Sequence, residues 1–407
     1  MKKVSIFSHI IVLIILLSLS CTVFIACDGN NTDDDYADAY SSDITIENGE
    51  VIATYEGDVT VNFGKLSDLL YKFEELEDGS YAAYVDATMV AEGLTKEQDG
   101  LIYELSNESM RELVTELDFP SAYQGKAVTA IIGEYNPYGA LTNPTLFTCV
   151  TSIKIPETVT VIGDNAFYGH SSLTSITLHE GIVELGSLAF SGCEKLTSVT
   201  LPSSLKSLGD GAFGDCSSLY ELTIPDTVEY IGSGVVSGCN VLSHLKMPLP
   251  DPDTILNGVS GWFASFAGGV EGPLTLEITK GDTLYSTMLN DHSGLTKLII
   301  HQMNVLESGS ISSPNLVEIE LGEGVARLED NVISSPPTLK KLTVHGTPSL
   351  KAGSIRGKGI GEWANDFTIH FDGTKEELIM WLEGEYLHAW FGHTVVCSNG
   401  TITLNWD

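Results

Sequence analysis

The chain repeats itself every 23 residues over its middle, and that period restricts the possible folds more than any other feature. Leu173, Leu196, Leu219 and Leu242 stand 23 apart, and so do Ile176, Val199, Leu222 and Leu245, and Leu178, Leu201, Ile224 and Met247. Ile162, Leu185, Leu208 and Ile231 form a further column. Phe167, Phe190 and Phe213 form another, closed by Val236, and Cys193, Cys216 and Cys239 another, preceded by His170. Pro156, Pro202, Pro225 and Pro248 recur behind the strand residues, with His179 at the equivalent place. Self-similarity at such a period marks an array whose units cannot bury their apolar faces alone and must stack.

The spacing within one unit gives its geometry. Leu-x-x-Ile-x-Leu alternates at its end, which turns Ile176 and Leu178 inward and Thr177 outward. Proline then stops the strand because it has no N–H to donate to a ladder. A second apolar run, such as Ile182-Val183-Glu184-Leu185, returns the chain along another side, and an Ala-Phe pair (Ala166-Phe167, Ala189-Phe190, Ala212-Phe213) fills the corner. Stacked at about 4.8 Å, such coils share one continuous core. The glycines fall at coil corners, where positive φ or close packing is needed.

The pattern L-T-S-I-T-(I/L)-P-x-x-(V/L)-x-x-(I/L)-G-x-x-A-F-x-x-C-x-x-L resembles the BspA-like (treponemal-type) leucine-rich repeat. Pro120–Thr129 is similar to the lead-in of that family's arrays, and Gly261-Trp262-Phe263 with Leu274–Ile278 to its longer coil. Phe371–Glu377 followed by Val396–Ile402 is similar to its closing segment. Leu378 stands where the family tends to have Trp, and Val235-Val236 replaces Ala-Phe. The resemblance covers roughly residues 120–407. It implies a mainly β fold with short helices: a leucine-rich-repeat solenoid of roughly ten coils with N-terminal and C-terminal caps.

Beyond Leu242 the coils degenerate but keep the strand pattern in Leu295–Ile300, Leu316–Leu321 and Leu339–Val344, ending on Phe367, Ile369 and Phe371. Coil lengths of 31, 22, 21, 23 and 27 residues place loops of variable size on one side. Leu378, Ile379, Leu382 and Tyr386 have helical spacing, so a terminal helix is expected to cap the core. The expected divisions are therefore an array over 120–372 and a C-terminal cap over 373–407.

Residues 44–119 read as a mixed α/β cap over the open end of the array, with an independent domain as the alternative. Leu66, Leu69, Leu70, Phe73 and Leu76 have helical period, and so do Met110, Leu113, Val114 and Leu117 behind Ser106. Ser80–Val85 and Leu101–Tyr103 are candidate strands.

Met1-Lys2-Lys3 followed by an almost wholly apolar run from Val4 to Ala26 has the layout of an export signal, although the run is also long enough to span a bilayer uncleaved. Phe24-Ile25-Ala26-Cys27 resembles the bacterial lipoprotein signal, with Phe24 where Leu is usual; Ser18-Leu19-Ser20-Cys21 matches it less well. The resemblance implies cleavage of residues 1–26 and lipid attachment at Cys27. Between Asp28 and Gly64 stand Asp28, Asp33, Asp34, Asp35, Asp38, Asp43, Glu47, Glu50, Glu56 and Asp58, with no Lys or Arg. Residues 27–43 are thus expected to form an extended acidic tether. The expected location is the cell surface, with the membrane reached through the lipid alone.

Acidity excludes partners. The chain carries 55 Asp+Glu against 20 Lys+Arg, a formal charge of −35, which becomes −37 when Lys2 and Lys3 leave with the signal. Such a surface repels phosphate backbones and anionic lipid, so no nucleic-acid partner is expected. The 43% hydrophobic content is ample for a packed core.

Candidate chemistry is sparse. The repeat cysteines should stack in parallel at about the coil spacing, wider than the 3.5–4.5 Å between Cβ atoms that a disulfide prefers, so they read as core thiols. His170 reads as a satisfied corner histidine. His388–His393 and His370-Phe371-Asp372 match no ligand spacing with a general base, no nucleophile elbow or phosphate loop occurs, and Pro250–Asp253 reads as a solvated loop. Expected catalytic residues, metal ligands and cofactors are none.

The candidate binding face is the outward side of the first strand. One row runs Lys154, Thr177, Thr200, Thr223, Lys246, then Glu277, Ile299, Glu320, Thr343 and His370; a second runs Ser152, Ser175, Ser198, Glu221 and His244. Threonine also simply suits exposed strand positions, and loops around Leu249–Gly272 are the rival contact site. The expected function is adhesion to or recognition of a host or microbial surface protein or glycan, without catalysis. An accessory glycan-binding or glycan-degrading protein and a structural envelope protein are the alternatives.

Overall fold

The computed structural model describes residues 41–48, 50–55, 59–85, 114–133, 148–251, 253, 262–289, 292–334, 338–351, 367–383 and 394–403, with the strands Ile11–Ile14, Val23–Ala26, Leu94–Gln98, Leu101–Leu105 and Ile355–Arg356. Cys27, the acidic tether to residue 40 and the His388–His393 cluster lie outside the described residues. The chain divides into two compact units, Met1–Val128 with Glu134–Pro156 and Thr129–Gly133 with Glu157–Asp407. The fold is mainly β; the helices among the described residues are Leu66–Leu70, Trp262–Phe266 and Lys375–Glu383.

The second unit is a leucine-rich-repeat solenoid. Its outer ladder is parallel throughout: Ser175–Thr177 pairs with Ser198–Thr200, and Glu221–Thr223 with the start of His244–Met247. Tyr220 N bonds Thr197 O at 3.4 Å between those pairs. Leu245, Leu276, Leu298, Ile319, Leu342 and Ile369 then stand opposite one another in turn, giving coils of 31, 22, 21, 23 and 27 residues, as the sequence columns require. A second parallel ladder joins Ala130–Ile131, Val161–Ile162, Glu184–Leu185, Ser207–Leu208 and Tyr230–Ile231. The inward member of each step, Ile131 to Ile231, is buried.

The core between these ladders follows the repeat columns. Phe167, Phe190 and Phe213 are fully buried and stack at 5.2 and 5.5 Å between ring centroids. Such contacts contribute about 0.5–1.5 kcal/mol each beyond burial. Each thiol donates to a corner carbonyl one coil earlier: Cys193 to Phe167 O at 3.5 Å, Cys216 to Phe190 O and Cys239 to Phe213 O, both at 3.2 Å. The cysteines are unbridged and buried. Gly209 shows why the corner column needs glycine: a Cβ there would meet Ser187 N at 2.4 Å and the Gly186 carbonyl carbon at 2.5 Å.

The 31-residue coil keeps the corner filled by other means. Trp262–Phe266 forms a one-turn helix whose Trp262, Phe263 and Phe266 are buried, and Phe266 O accepts from Val236 N at 3.2 Å. The aromatic part of the 249–272 loop is therefore core and not contact surface.

The array closes as its final segment implies. Thr394–Cys397 runs parallel to Thr368–Phe371 and turns back through Gly400–Thr403. Lys375–Glu383 opens with a capping box, in which Thr374 Oγ1 accepts from Glu377 N at 3.2 Å and Glu377 Oε2 from Thr374 N at 2.7 Å. Leu378 and Leu382 are buried, but Ile379 is 38% exposed. Trp381 takes the third core position, three residues after Leu378, and its Nε1 donates to Pro348 O at 2.7 Å.

In the first unit, Ser41–Glu47, Glu50–Tyr55 and Val59–Lys65 form an antiparallel sheet. Tyr81–Val85 and Leu101–Leu105 are strands, as expected. One helix expectation fails beyond Leu70, and the other fails at Leu117, with Ser106, Met110 and Leu113 outside the described residues. The first helix ends at Leu70, and Tyr71–Glu75 becomes a strand of a hairpin with Tyr81–Val85. An Asp78-Gly79 turn, with Gly79 at φ 81, sets that pairing, and Phe73 stacks on Tyr123 at 3.9 Å. Leu117 lies in Glu116–Asp118, which pairs with Ser152–Lys154 and not with a helix of its own.

Candidate recognition face

Parallel in-register strands line up equivalent side chains one coil apart. On the second unit this produces two outward rows that are exposed over their first coils: Ser175 with Thr177, Ser198 with Thr200, and Glu221 with Thr223. Between them the inward Ile176 and Leu222 are buried. His244 and Lys246 continue the rows, half-buried. Ser152 and Lys154 belong to the first unit and are exposed there. The Lys154 ammonium pairs with Glu116 and, at 3.9 Å, with Asp118, and the bond it donates to Glu116 raises its pKa.

From His244 onward the same face changes character. Glu277, with a side chain only 12% exposed, lies within 2.5 Å of Lys246 Nζ, 2.8 Å of His301 Nε2 and 3.3 Å of His244 Nε2. Burial alone would raise its pKa, but the bonds from Lys246 and His301 outweigh it and hold the carboxyl below the ordinary range. Glu318 is straddled in the same way by Lys297 at 3.2 Å and Lys341 at 2.9 Å. His345 bridges Glu320 at 3.3 Å and Asp372 at 3.2 Å. The outward rows thus pass from small hydroxyls to interlocked charges along one continuous ladder.

Sequence rows placed Thr177, Thr200, Thr223, Lys246, Glu277 and His244 on this face, and all stand there. They did not follow the second row through Lys297, Glu318 and Lys341, nor the third through His301 and His345. Adding the coil lengths to His244 would have found the former. The candidate His370 is half-buried beside Thr368 Oγ1, at 3.3 Å from its Nε2. Asp251 Oδ1 accepts from Asp253 N at 3.0 Å, a local turn. Among the described residues no group of three or more His, Cys, Asp or Glu is placed to hold a metal ion, and no helix is long and apolar enough to cross a membrane.

Buried side chains elsewhere do not take part. His170 packs edge-on to Phe167, with centroids 5.7 Å apart, and burial pushes its pKa down to about 4. Burial likewise pushes the Cys193 and Cys239 thiols up to about 12.

A stack of short parallel strands with a leucine column, an aromatic corner and a shared core defines a leucine-rich-repeat protein. Residues 146–255 match the BspA type leucine rich repeat region in six copies, so the coils within that stretch are BspA-type leucine-rich repeats. No curated protein matches the chain. Solved structures similar to it include a leucine-rich repeat protein from Bacteroides ovatus, at 18% identity over 75% of this chain and 85% of that one, with a TM-score of 0.36. The T. pallidum leucine-rich repeat protein is 18% identical over 63% and 86%, with a TM-score of 0.29. A leucine rich cell surface protein from Faecalibacterium prausnitzii is 16% identical over 78% and 96%, with a TM-score of 0.29.

Proposed function

We propose that this chain is a non-catalytic recognition protein, exported, held at the cell surface by a lipid on Cys27, and binding a surface protein or glycan of a host or another microbe through its outward strand rows. The observation that carries the reading is the exposed Ser/Thr ladder of Ser175, Thr177, Ser198, Thr200 and Thr223, repeated at one coil spacing. Solenoids bind through such extended surfaces without needing a pocket. The hydroxyls offer donors and acceptors to a partner at little desolvation cost compared with charges.

The test is binding of the chain to a panel of host proteins and glycans, compared with a Thr200→Lys/Thr223→Lys variant of unchanged melting behaviour. Loss of the bound partner supports the strand face; undiminished binding moves the site away from it.

A further inference from the structure

The cations of the later face recur on alternate coils. His244 and Lys246 share one coil, Lys297 and His301 stand two coils on, and Lys341 and His345 two coils further. The coils between them present carboxylates, Glu277 and then Glu318 with Glu320. With strands about 4.8 Å apart, the cationic coils repeat at about 9.6 Å.

This concentration is unusual for the chain. Of 20 Lys+Arg and 10 His in a protein of charge −35, three lysines and four histidines (His370 is the fourth) share this face. Its carboxylates are Glu277, Glu318, Glu320 and Asp372, with Glu221 opposite His244 in the strand register; Glu323 lies exposed at the margin. Three lysines against these six acids leave a local charge of −3 while the histidines are neutral, and protonating all four imidazoles makes it +1. His244 faces Glu277 and Glu221, His301 faces Glu277, and His345 faces Glu320 and Asp372. His370 lies near Lys341 and Glu318; burial first, then the Lys341 charge, holds its pKa below the ordinary value.

We propose that this half of the face is a pH-gated binding surface for an acidic polysaccharide bearing one carboxylate on every second sugar. The inference rests on the strand face being the recognition surface. A free imidazole takes up its proton at a higher pH than a sugar carboxylate does, so acidification adds positive charge to a histidine-bearing face before it neutralises the polymer. An extended peptide sets like-facing side chains about 6.8 Å apart, out of step with the cationic coils. A β-linked polymer with alternating acidic sugars presents one anion per disaccharide, in step with two coils. The gain is in charge complementarity, which governs encounter and selectivity.

The probe is hyaluronate, with neutral chito-oligosaccharide and polyglutamate alongside, measured on the full chain at pH 5 and pH 8, which bracket the imidazole range. Hyaluronate is expected to bind at pH 5 and to weaken about tenfold or more at pH 8; the neutral sugar does not bind and polyglutamate binds less. A His244→Gln/His301→Gln/His345→Gln variant is expected to bind weakly at both pH values. Lys297→Gln weakens binding at pH 5 and serves as the second variant, with melting curves showing that both fold. Equal affinity at the two pH values, full binding by the triple variant, or polyglutamate matching hyaluronate overturns the proposal. Thr200→Lys/Thr223→Lys changes the hydroxyl coils that precede the charged ones in the same rows and separates the two readings. If that variant loses its panel partner while hyaluronate ignores pH, the strand face stands and the gating falls. If panel binding is undiminished, the face reading itself fails.

Discussion

The thiol of Cys216 donates to the carbonyl of Phe190, 26 residues earlier and one coil away, at 3.2 Å. Side chain and backbone of neighbouring coils are thereby joined inside the core, at a position where sulfur fits and water does not enter. Burial raises the Cys216 pKa far above that of an ordinary thiol. Cys193, Cys216 and Cys239 should therefore resist alkylation at pH 8 in the folded protein and react fully in denaturant. Mass spectrometry after timed labelling checks this. Cys216→Ala is expected to lower stability by about 1–2 kcal/mol, through lost volume and an unpaired carbonyl.

Gly209→Ala tests the corner column. The added methyl would lie 2.4 Å from Ser187 N, so neighbouring coils must part. The expected cost is about 1–3 kcal/mol, read from the urea midpoint. An alanine at Gly125 meets no atom within 4 Å but sits at φ 78. Its cost should come from backbone strain alone and stay near 1 kcal/mol.

His170 should contribute to acid sensitivity, alongside His292 and His370, whose pKa values burial also lowers. Its pKa is pushed down to about 4 in the folded chain, against about 6.5 unfolded. Between those values the unfolded state takes up a proton that the folded state refuses. This contribution should therefore be complete above about pH 6.5, fall by about 1.4 kcal/mol per pH unit at most, and level off below about 4. His170→Cys, the residue used in the rest of the column, should reduce this slope in urea titrations across the range.

Thr374→Ala removes the hydroxyl that accepts from Glu377 N at 3.2 Å. The expected loss is about 1 kcal/mol, most of it recovered by Thr374→Ser. Hydrogen exchange in Leu378–Leu382 should rise before that of the coils if the cap frays first.

Cys27→Ser should release the protein from membranes into the soluble fraction and abolish incorporation of labelled fatty acid. Retention of both would remove the anchor from the proposed function.

The array was legible in the sequence because each coil repeats the same packing problem and solves it with the same residue. Leu173 to Leu242 and Phe167 to Phe213 stand where their spacing put them, and even the degenerate coils align at Leu298, Ile319 and Leu342. The first unit was harder. Leu66, Leu69, Leu70 and Phe73 satisfy a helical period, yet only five residues form the helix, because alternation in Tyr71–Glu75 and the Asp78-Gly79 turn favour a hairpin. Ile379 and Trp381 exchange places for a similar reason: with Leu378 and Leu382 facing inward, the residue three positions on shares their side of the helix, and the adjacent one does not. The outward rows could be read as positions. The convergence of Lys246, His244 and His301 on Glu277 could not, since it depends on side chains reaching across whole coils.

That reach gives the two halves of the solenoid different couplings. Around Thr177 and Thr200 a coil communicates with the next one only, through backbone bonds, shared core and single side-chain bonds such as that from Ser203 to Glu180. Around Glu277 and Glu318, cations from the coils before and after meet on one carboxylate, which adds a second-neighbour term to a one-dimensional lattice. This term is electrostatic, so added salt should shorten the correlation length of opening in the later coils more than in the earlier ones, where an exposed pair such as Lys206 with Glu229 joins adjacent coils only.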